Sequence, residues 1–403
     1  MTPPTVAFFC MAEPGHFRRL LPLISAMPGH GMDAVVFTDL DFAPEVRAAG
    51  ARFVDLFAGR PLSAADDTSR PFPSRFVTFA GRFGDGVVAQ ARALAPQVVV
   101  ADSFAVIGRV VAAALEVPYV NVCAGHNVHP ALSRSMLSEI PGVRTSDACH
   151  NAVEVLRERF GLEGVSPFSY VAPPSPFLNL YCEPPQYLTE HERQAFEPVQ
   201  FFGSLPARSD GEEPVAPAVF PARAQRKVYV SFGTVVWRYF MKEAIAALTS
   251  ITAAIARSPG THALVSPGRA RFTADVVAAL EGPNVRVESY VDQWHVLAQT
   301  DCFITHHGLN STHEAVFHDV PMLSQPFFWD QPAMARKAQA FGFALPLASE
   351  PRATPEVGAV QGALERVFDD RGQIAAALSR ARDWEREVLA QRPAVMRAIA
   401  QLA

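Results

Sequence analysis

Charged residues are scarce in this chain of 403 residues, and they form no long basic run. Lys, Arg, Asp and Glu together account for 19% of the sequence, and the formal net charge is −5. Proteins that bind nucleic acid concentrate Lys and Arg on one surface because they must neutralise phosphates. The sequence lacks that feature, so we do not expect nucleic acid to be a partner.

Cysteine is also rare. The five cysteines are an odd number without the paired spacing of metal sites: Cys10, Cys123, Cys149, Cys182 and Cys302. Neither a disulfide framework nor a metal-binding module is therefore expected. We expect reduced, mostly buried thiols in a cytoplasmic protein.

Long apolar runs are missing as well. The best stretch, residues 105–123, is interrupted by Arg109 and Glu116, whereas a membrane-spanning helix needs a nearly unbroken apolar run. The N-terminus has no basic leader, and residues 5–12 suit a first β-strand better than a signal peptide. The sequence therefore predicts neither a membrane span nor a secretion signal.

Apolar residues are abundant, and they are organised in short runs. Hydrophobic residues make up 49% of the chain, whose length favours two domains over one. In both halves short apolar runs alternate with helical patterns, which is typical of parallel sheets with crossover helices. Strands are predicted at residues 5–11, 33–38, 97–101, 117–123, 227–232, 262–266, 285–288, 302–305 and 321–326.

A segment rich in Pro, Ala, Gly and charged residues separates the two halves. We therefore predict an α/β protein with two facing Rossmann-like domains and a cleft between them. The predicted divisions are an N-terminal domain at 1–205, a linker at 206–226, a C-terminal domain at 227–385 and a last helix at 386–403.

The most informative segment comprises residues 303–331. A predicted strand, residues 302–305, leads through a polar turn into a helix that Asn310 and Ser311 open. The N-terminus of a helix offers free N–H groups and a favourable dipole to an anion. The segment therefore predicts an anion site.

Carboxylate and amide groups continue this site along the chain. Glu314 lies one helical turn beyond Asn310, where its carboxylate can accept hydrogen bonds from vicinal hydroxyls such as those of a ribose. Asp330 and Gln331 follow the apolar strand at 321–326 and can bind further hydroxyls. Phosphate, ribose and sugar would be met in order, which is the layout of a nucleotide-sugar site.

At these residues the chain resembles the nucleotide-sugar signature of the family 1 glycosyltransferases. That signature reads roughly W-x-P-Q, T-H-x-G-x-N-S-x-x-E, G-V-P-M and D-Q. The matching segments are YVDQ at 290–293, THHGLNSTHE at 305–314, DVPM at 319–322 and DQ at 330–331. The overall sequence is similar to the bacterial natural-product branch, which includes the macrolide glycosyltransferases.

The resemblance implies a GT-B fold with an acceptor-binding N-terminal domain, a donor-binding C-terminal domain and a last helix that packs back on the first domain. It implies that glucose is transferred from UDP-glucose to a hydroxyl of a small hydrophobic natural product, with inversion and without a metal. The nucleotide sugar is a co-substrate, and no cofactor is expected. A monomer or a homodimer fits the family.

The resemblance also assigns roles to residues. The diphosphate would be bound by Thr234, His306, Gly308, Asn310 and Ser311. The base and ribose would be bound by Tyr290, Gln293 and Glu314, and the sugar by Asp330 and Gln331. Alternatively, the Ser231–Thr234 segment is a simple tight turn, and Asp330 is a helix cap before Pro332.

Several positions depart from the family pattern. Asp292 replaces a Pro, and Leu309 stands where plant members have a Trp that stacks on the sugar. His307 replaces a small Gly or Cys, and its bulk beside the diphosphate is expected to alter the fit of the donor.

His16 and Asp102 are the catalytic candidates. His16 lies between the first strand and its helix, and Asp102 ends a neighbouring strand. Ligands of open α/β sheets bind at such strand ends. The family's dyad carries over to these two positions, with His16 as the base on the acceptor hydroxyl and Asp102 as its orienting partner. The alternatives are a capping or core histidine and an Asp that caps the following helix.

Acceptor contacts are harder to predict. Phe72, Phe76, Phe79 and Phe83 recur at helical spacing, which fits either a core stripe or an acceptor wall. His126 follows a strand end and is a further acceptor candidate. Asp39 and Asp41 resemble the Asp-x-Asp metal motif of the other large glycosyltransferase fold, but a turn and helix cap describes them better.

Further functions remain open at this point. A sugar-nucleotide 2-epimerase and a cell-wall lipid glycosyltransferase share this fold. A dTDP-deoxysugar transferase of an antibiotic pathway and a non-catalytic glycosyltransferase-like helper protein are also compatible with the sequence.

Overall fold

The computed structural model describes residues 2–62, 74–123, 125–127, 145–167, 174–205, 217–268, 270 and 272–403. The chain divides into two compact units, one formed by Met1–Ala207 with Glu387–Ala403 and the other by Arg208–Arg386. The division at Ala207 lies inside the linker predicted at 206–226.

The first unit is built on a seven-stranded sheet with the order β3-β2-β1-β4-β5-β6-β7, in which every neighbouring pair is parallel. Its strands are β1 Thr5–Phe9, β2 Asp33–Thr38, β3 Arg52–Asp55, β4 Val98–Asp102, β5 Tyr119–Cys123, β6 Leu178–Tyr181 and β7 Val199–Phe201. The central strands are runs of Val, Ala and Phe buried on both faces, as expected for a parallel sheet covered by helices.

Helices connect these strands. They are α1 Pro14–Ala26, α2 Ala43–Ala48, α3 Arg75–Arg92, α4 Val106–Leu115, α5 Asp147–Phe160 and α6 Glu190–Gln194. Packing between helices is close, because a Cβ atom added at Gly81 of α3 would collide with Ala152 of α5.

The second unit is built on a six-stranded sheet with the order β10-β9-β8-β11-β12-β13, again parallel throughout. Its strands are β8 Arg226–Ser231, β9 Thr261–Val265, β10 Val285–Val287, β11 Cys302–Thr305, β12 Met322–Ser324 and β13 Ala344–Pro346. Its helices are α7 Val236–Tyr239, α8 Met241–Ala256, α9 Ala274–Leu280, α10 Gln293–Leu297, α11 Leu309–Phe317, α12 Gln331–Phe341 and α13 Val357–Asp369.

The last helix, α14, runs without a break from Arg371 to Ala400. Its first part packs in the second unit, where Oε1 of Glu385 lies 2.5 Å from Nδ1 of the fully buried His313. Its last part belongs to the first unit, where the Arg392 guanidinium donates to the carbonyl oxygens of Phe202 and Leu205. The helix predicted at 386–403 is the last part of this longer helix, which begins at Arg371.

The predicted α/β class is confirmed. All nine predicted strands are present, with ends that shift by up to a few residues. Four short strands were missed: β3, β6, β7 and β13. Three of them end their sheets and the fourth, β6, lies next to an end, and none exceeds four residues, so their apolar patterns are too brief to stand out.

All five cysteines are buried and free of disulfide bonds, as the sequence predicted. Among the described residues no helix combines the length and the apolar character that a membrane crossing requires.

Candidate active site

A histidine–aspartate pair lies at the carboxyl edge of the first sheet. Nδ1 of His16 is 2.8 Å from Oδ2 of Asp102, whose side chain is fully buried, while the His16 side chain keeps 17% of its surface exposed. A carboxylate at Nδ1 fixes the imidazole tautomer, so that Nε2 is the basic atom. The structure therefore brings the two predicted catalytic residues together in the geometry of a base and its orienting acid.

The topology explains this placement. β1 and β4 are parallel neighbours, so their carboxyl ends meet at one edge. Asp102 is the last residue of β4, and His16 is the third residue of α1, which follows β1 and has Pro14 at its first position. The fixed φ of that proline suits the start of a helix and brings His16 close to the end of β1.

The second oxygen of Asp102 is also engaged. The backbone N–H of Phe104 donates to Oδ1 at 2.8 Å, and the Phe104 ring lies against His16 with a centroid distance of 4.3 Å. Asp102 thus closes a turn onto Phe104 and pairs with His16, but it does not cap α4, whose N-cap is Ala105 without a side-chain hydrogen bond.

The predicted acceptor residues are differently placed. Phe76 and Phe79 of α3 are each 1% exposed, and Phe79 packs on Phe57 with centroids 5.2 Å apart. These rings lie in the core, which favours the core interpretation of the stripe. Phe72 lies outside the described residues.

His126 is buried and belongs to a second histidine–carboxylate pair. Its Nδ1 lies 2.9 Å from Oε2 of Glu183, whose side chain is fully buried. The backbone N–H of the next residue, Asn127, donates to the Tyr181 hydroxyl at 2.7 Å. These contacts tie the segment after β5 to the end of β6, and this network was not predicted because Glu183 follows a strand that the sequence pattern missed.

Asp39 and Asp41 form a turn. The Asp39 carboxylate accepts from the backbone N–H of Asp41 at 2.9 Å and caps a short 3₁₀ helix, Leu40–Phe42. The helix-cap interpretation is confirmed for these residues. Within the described ranges no three His, Cys, Asp or Glu side chains are grouped as metal ligands.

The predicted anion site lies at the carboxyl edge of the second sheet. β11 ends at Thr305, and α11 begins at Leu309 with Gly308 as its N-cap. The cap has no side-chain hydrogen bond, so the backbone N–H groups of the first turn point out of the helix end. The parallel neighbour β8 ends at Ser231 and brings the exposed Thr234 to the same edge.

His306 is held between two glycines at this edge. A Cβ atom added at either Gly233 or Gly308 would collide with the imidazole, so only glycine leaves room for the ring. Burial lowers the pKa of His306 from 6.5 to about 4, although a hydrogen bond to the Ser231 backbone offsets part of that effect. The ring is therefore neutral near pH 7 and brings no positive charge to this edge. Its buried Nδ1 has no partner among the described residues.

The His307 side chain points into the core, although it was expected beside the diphosphate. The side chain is fully buried, with Nε2 at 2.8 Å from Oγ of Ser324 and Nδ1 at 3.3 Å from Oγ1 of Thr312. Its φ of 58° is left-handed, a conformation that glycine adopts most readily. The expectation that its ring crowds the diphosphate was wrong, because that φ turns the side chain into the core.

Two of the three residues predicted to bind the base and the ribose, Gln293 and Glu314, belong to one hydrogen-bonded cluster. Nε2 of Gln293 donates to Oε2 of Glu314 at 2.7 Å and to Oγ of Ser311 at 3.2 Å. Tyr290, the third, is 57% exposed on the same stretch as Gln293. Asp292 caps α10 by accepting from the Trp294 N–H at 3.1 Å, so the missing proline is compensated by a side-chain cap.

Asp330 and Gln331 play different parts at the start of α12. Oε1 of Gln331 accepts from the backbone N–H groups of Phe327 and Phe328 at 2.9 and 3.3 Å, so that oxygen holds the preceding turn. Asp330 is the N-cap residue of α12 but makes no side-chain cap hydrogen bond, so the helix-cap interpretation does not describe its carboxylate. The residue between this pair and Phe328, Trp329, has a left-handed φ of 60°.

Two α/β units, each built on a parallel sheet, are the architecture of the GT-B fold. Residues 192–381 match the family described as UDP-glucoronosyl and UDP-glucosyl transferase. That match covers a little under half of the chain, and the chain is a glycosyltransferase similar to those of bacterial natural-product pathways.

Individual relatives agree with this placement. The oleandomycin glycosyltransferase of Streptomyces antibioticus is 26% identical over 364 residues, which cover 87% of this chain and 80% of that protein. The solved glycosyltransferase of kitacinnamycin superposes with a TM-score of 0.78 at 22% identity and covers 99% of this chain and 100% of that one. A spinosyn rhamnosyltransferase complexed with thymidine diphosphate gives a TM-score of 0.66 at 20% identity, covering 97% of this chain and 99% of that one.

Proposed function

We propose that this glycosyltransferase moves glucose from UDP-glucose to a hydroxyl of a small hydrophobic natural product, with inversion and without a metal. The observation that carries the proposal is the 2.8 Å contact between Nδ1 of His16 and Oδ2 of Asp102. A partly exposed histidine whose far nitrogen faces a buried carboxylate is the arrangement of a general base.

In this reaction Nε2 of His16 takes the proton of the acceptor hydroxyl as its oxygen attacks the anomeric carbon. The carbon–oxygen bond to the nucleoside diphosphate breaks as the new bond forms, so one displacement inverts the anomeric centre. Asp102 stabilises the imidazolium that results and keeps the proton on Nδ1.

Negative charge grows on the departing diphosphate, and the edge of the second sheet is suited to receive it. The N-terminus of α11 supplies backbone N–H groups and the positive end of its dipole, and His306 lies between Gly233 and Gly308 at the same edge. Asn310 and Ser311 lie in the first turn of α11, and Thr234 lies in the turn after β8 at the same edge. These donors support leaving-group stabilisation without a cation.

The choice of UDP rests on the Gln293–Glu314 contact. Gln293 orients the Glu314 carboxylate from one side at 2.7 Å. A carboxylate held in this way accepts hydrogen bonds from two vicinal hydroxyls, which a ribose has and a deoxyribose lacks. The cluster therefore favours a ribonucleotide donor.

A dTDP-deoxysugar donor is the second candidate. It is favoured by the structural likeness to the spinosyn rhamnosyltransferase complexed with thymidine diphosphate. On the sugar side, the Asp330 carboxylate argues for a hydroxylated hexose, because a deoxysugar lacks hydroxyls that such a carboxylate would accept from.

The test is a transfer assay with purified protein. UDP-glucose and dTDP-glucose are each incubated with a panel of phenols and macrolide aglycones, with and without EDTA, and products are read by mass. We expect a hexose adduct from UDP-glucose that EDTA does not abolish. Transfer from dTDP-glucose alone supports the second candidate, and donor binding without transfer to any acceptor supports a non-catalytic protein.

A further inference from the structure

Phe104 contacts both members of the histidine–aspartate pair, and it does so with different groups. Its backbone N–H donates to Oδ1 of Asp102 at 2.8 Å. Its ring lies 4.3 Å from the His16 ring, centroid to centroid, with 32° between the planes. One residue thus holds the carboxylate through its backbone and the imidazole through its ring.

The Phe104 ring is itself supported. Phe76, buried at the start of α3, lies behind it with centroids 6.3 Å apart. Phe104 follows β4 directly and precedes α4, so both ends of its segment are fixed by regular structure. The ring therefore has little freedom to move away from His16.

This contact matters because a hydrogen bond alone does not fix an imidazole. Rotation of the ring about its Cβ–Cγ bond breaks the hydrogen bond from Nδ1 to Asp102 and with it the control of the tautomer, and an aromatic face against the ring restrains that rotation. A misplacement of about 1 Å at a reacting group can cost roughly 100-fold in rate. An aromatic face beside the ring also attracts the imidazolium formed during proton transfer.

We propose that Phe104 is a positioning residue that keeps His16 in a single tautomer and orientation for proton abstraction. The inference rests on the proposed role of His16 as the base. It concerns the ring of Phe104, because the backbone donor to Asp102 survives any substitution except proline.

A matched control is available in the same unit. The Phe42 ring stacks on Phe17 of α1 with the same 4.3 Å centroid distance, but neither ring contacts His16 in the described structure. Phe42→Leu therefore removes a comparable aromatic contact from the helix that carries His16 without touching the pair. Phe104→Tyr keeps the ring and serves as the conservative variant.

The first measurement needs no substrate. Two-bond ¹H–¹⁵N imidazole spectra, recorded where imidazole is neutral, assign the tautomer of His16 in each variant. The wild type, Phe42→Leu and Phe104→Tyr are expected to show one Nδ1–H tautomer, and Phe104→Leu a mixture. A single wild-type tautomer in Phe104→Leu overturns the inference whatever the enzyme's substrate is.

The second measurement is a double-mutant cycle with UDP-glucose and 4-methylumbelliferone as the probe acceptor. We expect Phe104→Leu to lower kcat by roughly 10- to 100-fold with an unchanged KM for the donor, and to have no further effect in a His16→Ala background. Equal losses in both backgrounds show that Phe104 does not act through His16. If His16→Ala keeps full activity, the proposed function of His16 as the base is wrong. If His16→Ala is inactive but Phe104→Leu behaves like the control Phe42→Leu, only the role of Phe104 is wrong.

Discussion

The carboxamide of Gln293 and the carboxylate of Glu314 lie 2.7 Å apart, Nε2 to Oε2, although 21 positions separate them in the chain. α10 and α11 bring them together beside Ser311, at the start of the helix proposed to face the donor diphosphate. A carboxylate oriented by an amide is suited to binding the two hydroxyls of a ribose.

Glu314→Ala should therefore weaken UDP binding more than binding of dUDP, which lacks the 2′-hydroxyl. Losing hydrogen bonds to a charged group costs about 1.5–3 kcal/mol, which corresponds to roughly 10- to 100-fold in affinity. Titration calorimetry with the two nucleotides measures the difference, and Glu365→Ala, an exposed glutamate of α13, is the control. An equal loss for UDP and dUDP would show that Glu314 does not bind the ribose.

Replacing His307 should affect stability and not donor choice. His307→Ala removes one hydrogen-bond partner each of Ser324 and Thr312 and places alanine at a left-handed position that histidine tolerates better, so we expect a loss of about 2–4 kcal/mol in the free energy of unfolding. His307→Asn tolerates that backbone better and should lose less. Urea unfolding gives the stabilities, and donor competition gives the specificity. A changed ratio of UDP-glucose to dTDP-sugar turnover would show that His307 does affect donor choice.

Acid should destabilise the second unit through its two adjacent histidines. Burial lowers the pKa of His306 from 6.5 to about 4 and that of His307 from 6.5 to about 3. Below pH 6.5 the two histidines are protonated in the unfolded chain but stay neutral in the folded protein. The stability that is fully present above pH 6.5 is therefore lost as the pH falls toward the folded-state pKa values of about 4 and about 3. Each unit of difference in pKa is worth about 1.4 kcal/mol.

Urea unfolding at a series of pH values checks this dependence. The double variant His306→Gln with His307→Asn should show a shallower loss of stability with acid. His30→Gln, a change at an exposed histidine, should keep the wild-type slope. A slope that is unchanged in the double variant would assign the acid sensitivity to different groups.

The sugar preference should depend on Asp330. Its carboxylate is proposed to accept from the outer hydroxyls of a hexose, so Asp330→Ala should cost UDP-glucose more than a dTDP-2,6-dideoxysugar, by roughly tenfold or more in specificity constant. Steady-state kinetics with both donors provides the comparison. Equal losses for the two donors, or a wild-type preference for the deoxysugar, would exclude this role.

The sequence predicted those parts of the site that depend only on neighbouring residues along the chain. Gly308, Asn310 and Ser311 follow a strong buried strand, and a strand followed by a polar turn and a helix has few conformations. The pairing of His16 with Asp102 was also predictable, because both follow strong strands whose carboxyl ends share an edge in a parallel sheet.

Contacts that depend on side-chain direction were not predictable. The left-handed φ of His307 turns its ring into the core, and nothing in the local pattern indicates that φ. Phe76 and Phe79 fit a core stripe and a ligand wall equally well at the level of spacing. Glu183 follows a four-residue strand next to the edge strand, so its pairing with His126 needed the tertiary structure.

The central claim is that His16 removes the acceptor proton with Asp102 as its orienting partner. Single-turnover transfer from UDP-glucose to an accepted phenol, measured for the wild type, His16→Ala, Asp102→Asn and the surface control His30→Ala, tests it most directly. The account predicts a rate loss of about 10²–10⁴-fold for His16→Ala, a substantial loss for Asp102→Asn, and unchanged UDP affinity in all four proteins. A wild-type rate in His16→Ala would contradict the account.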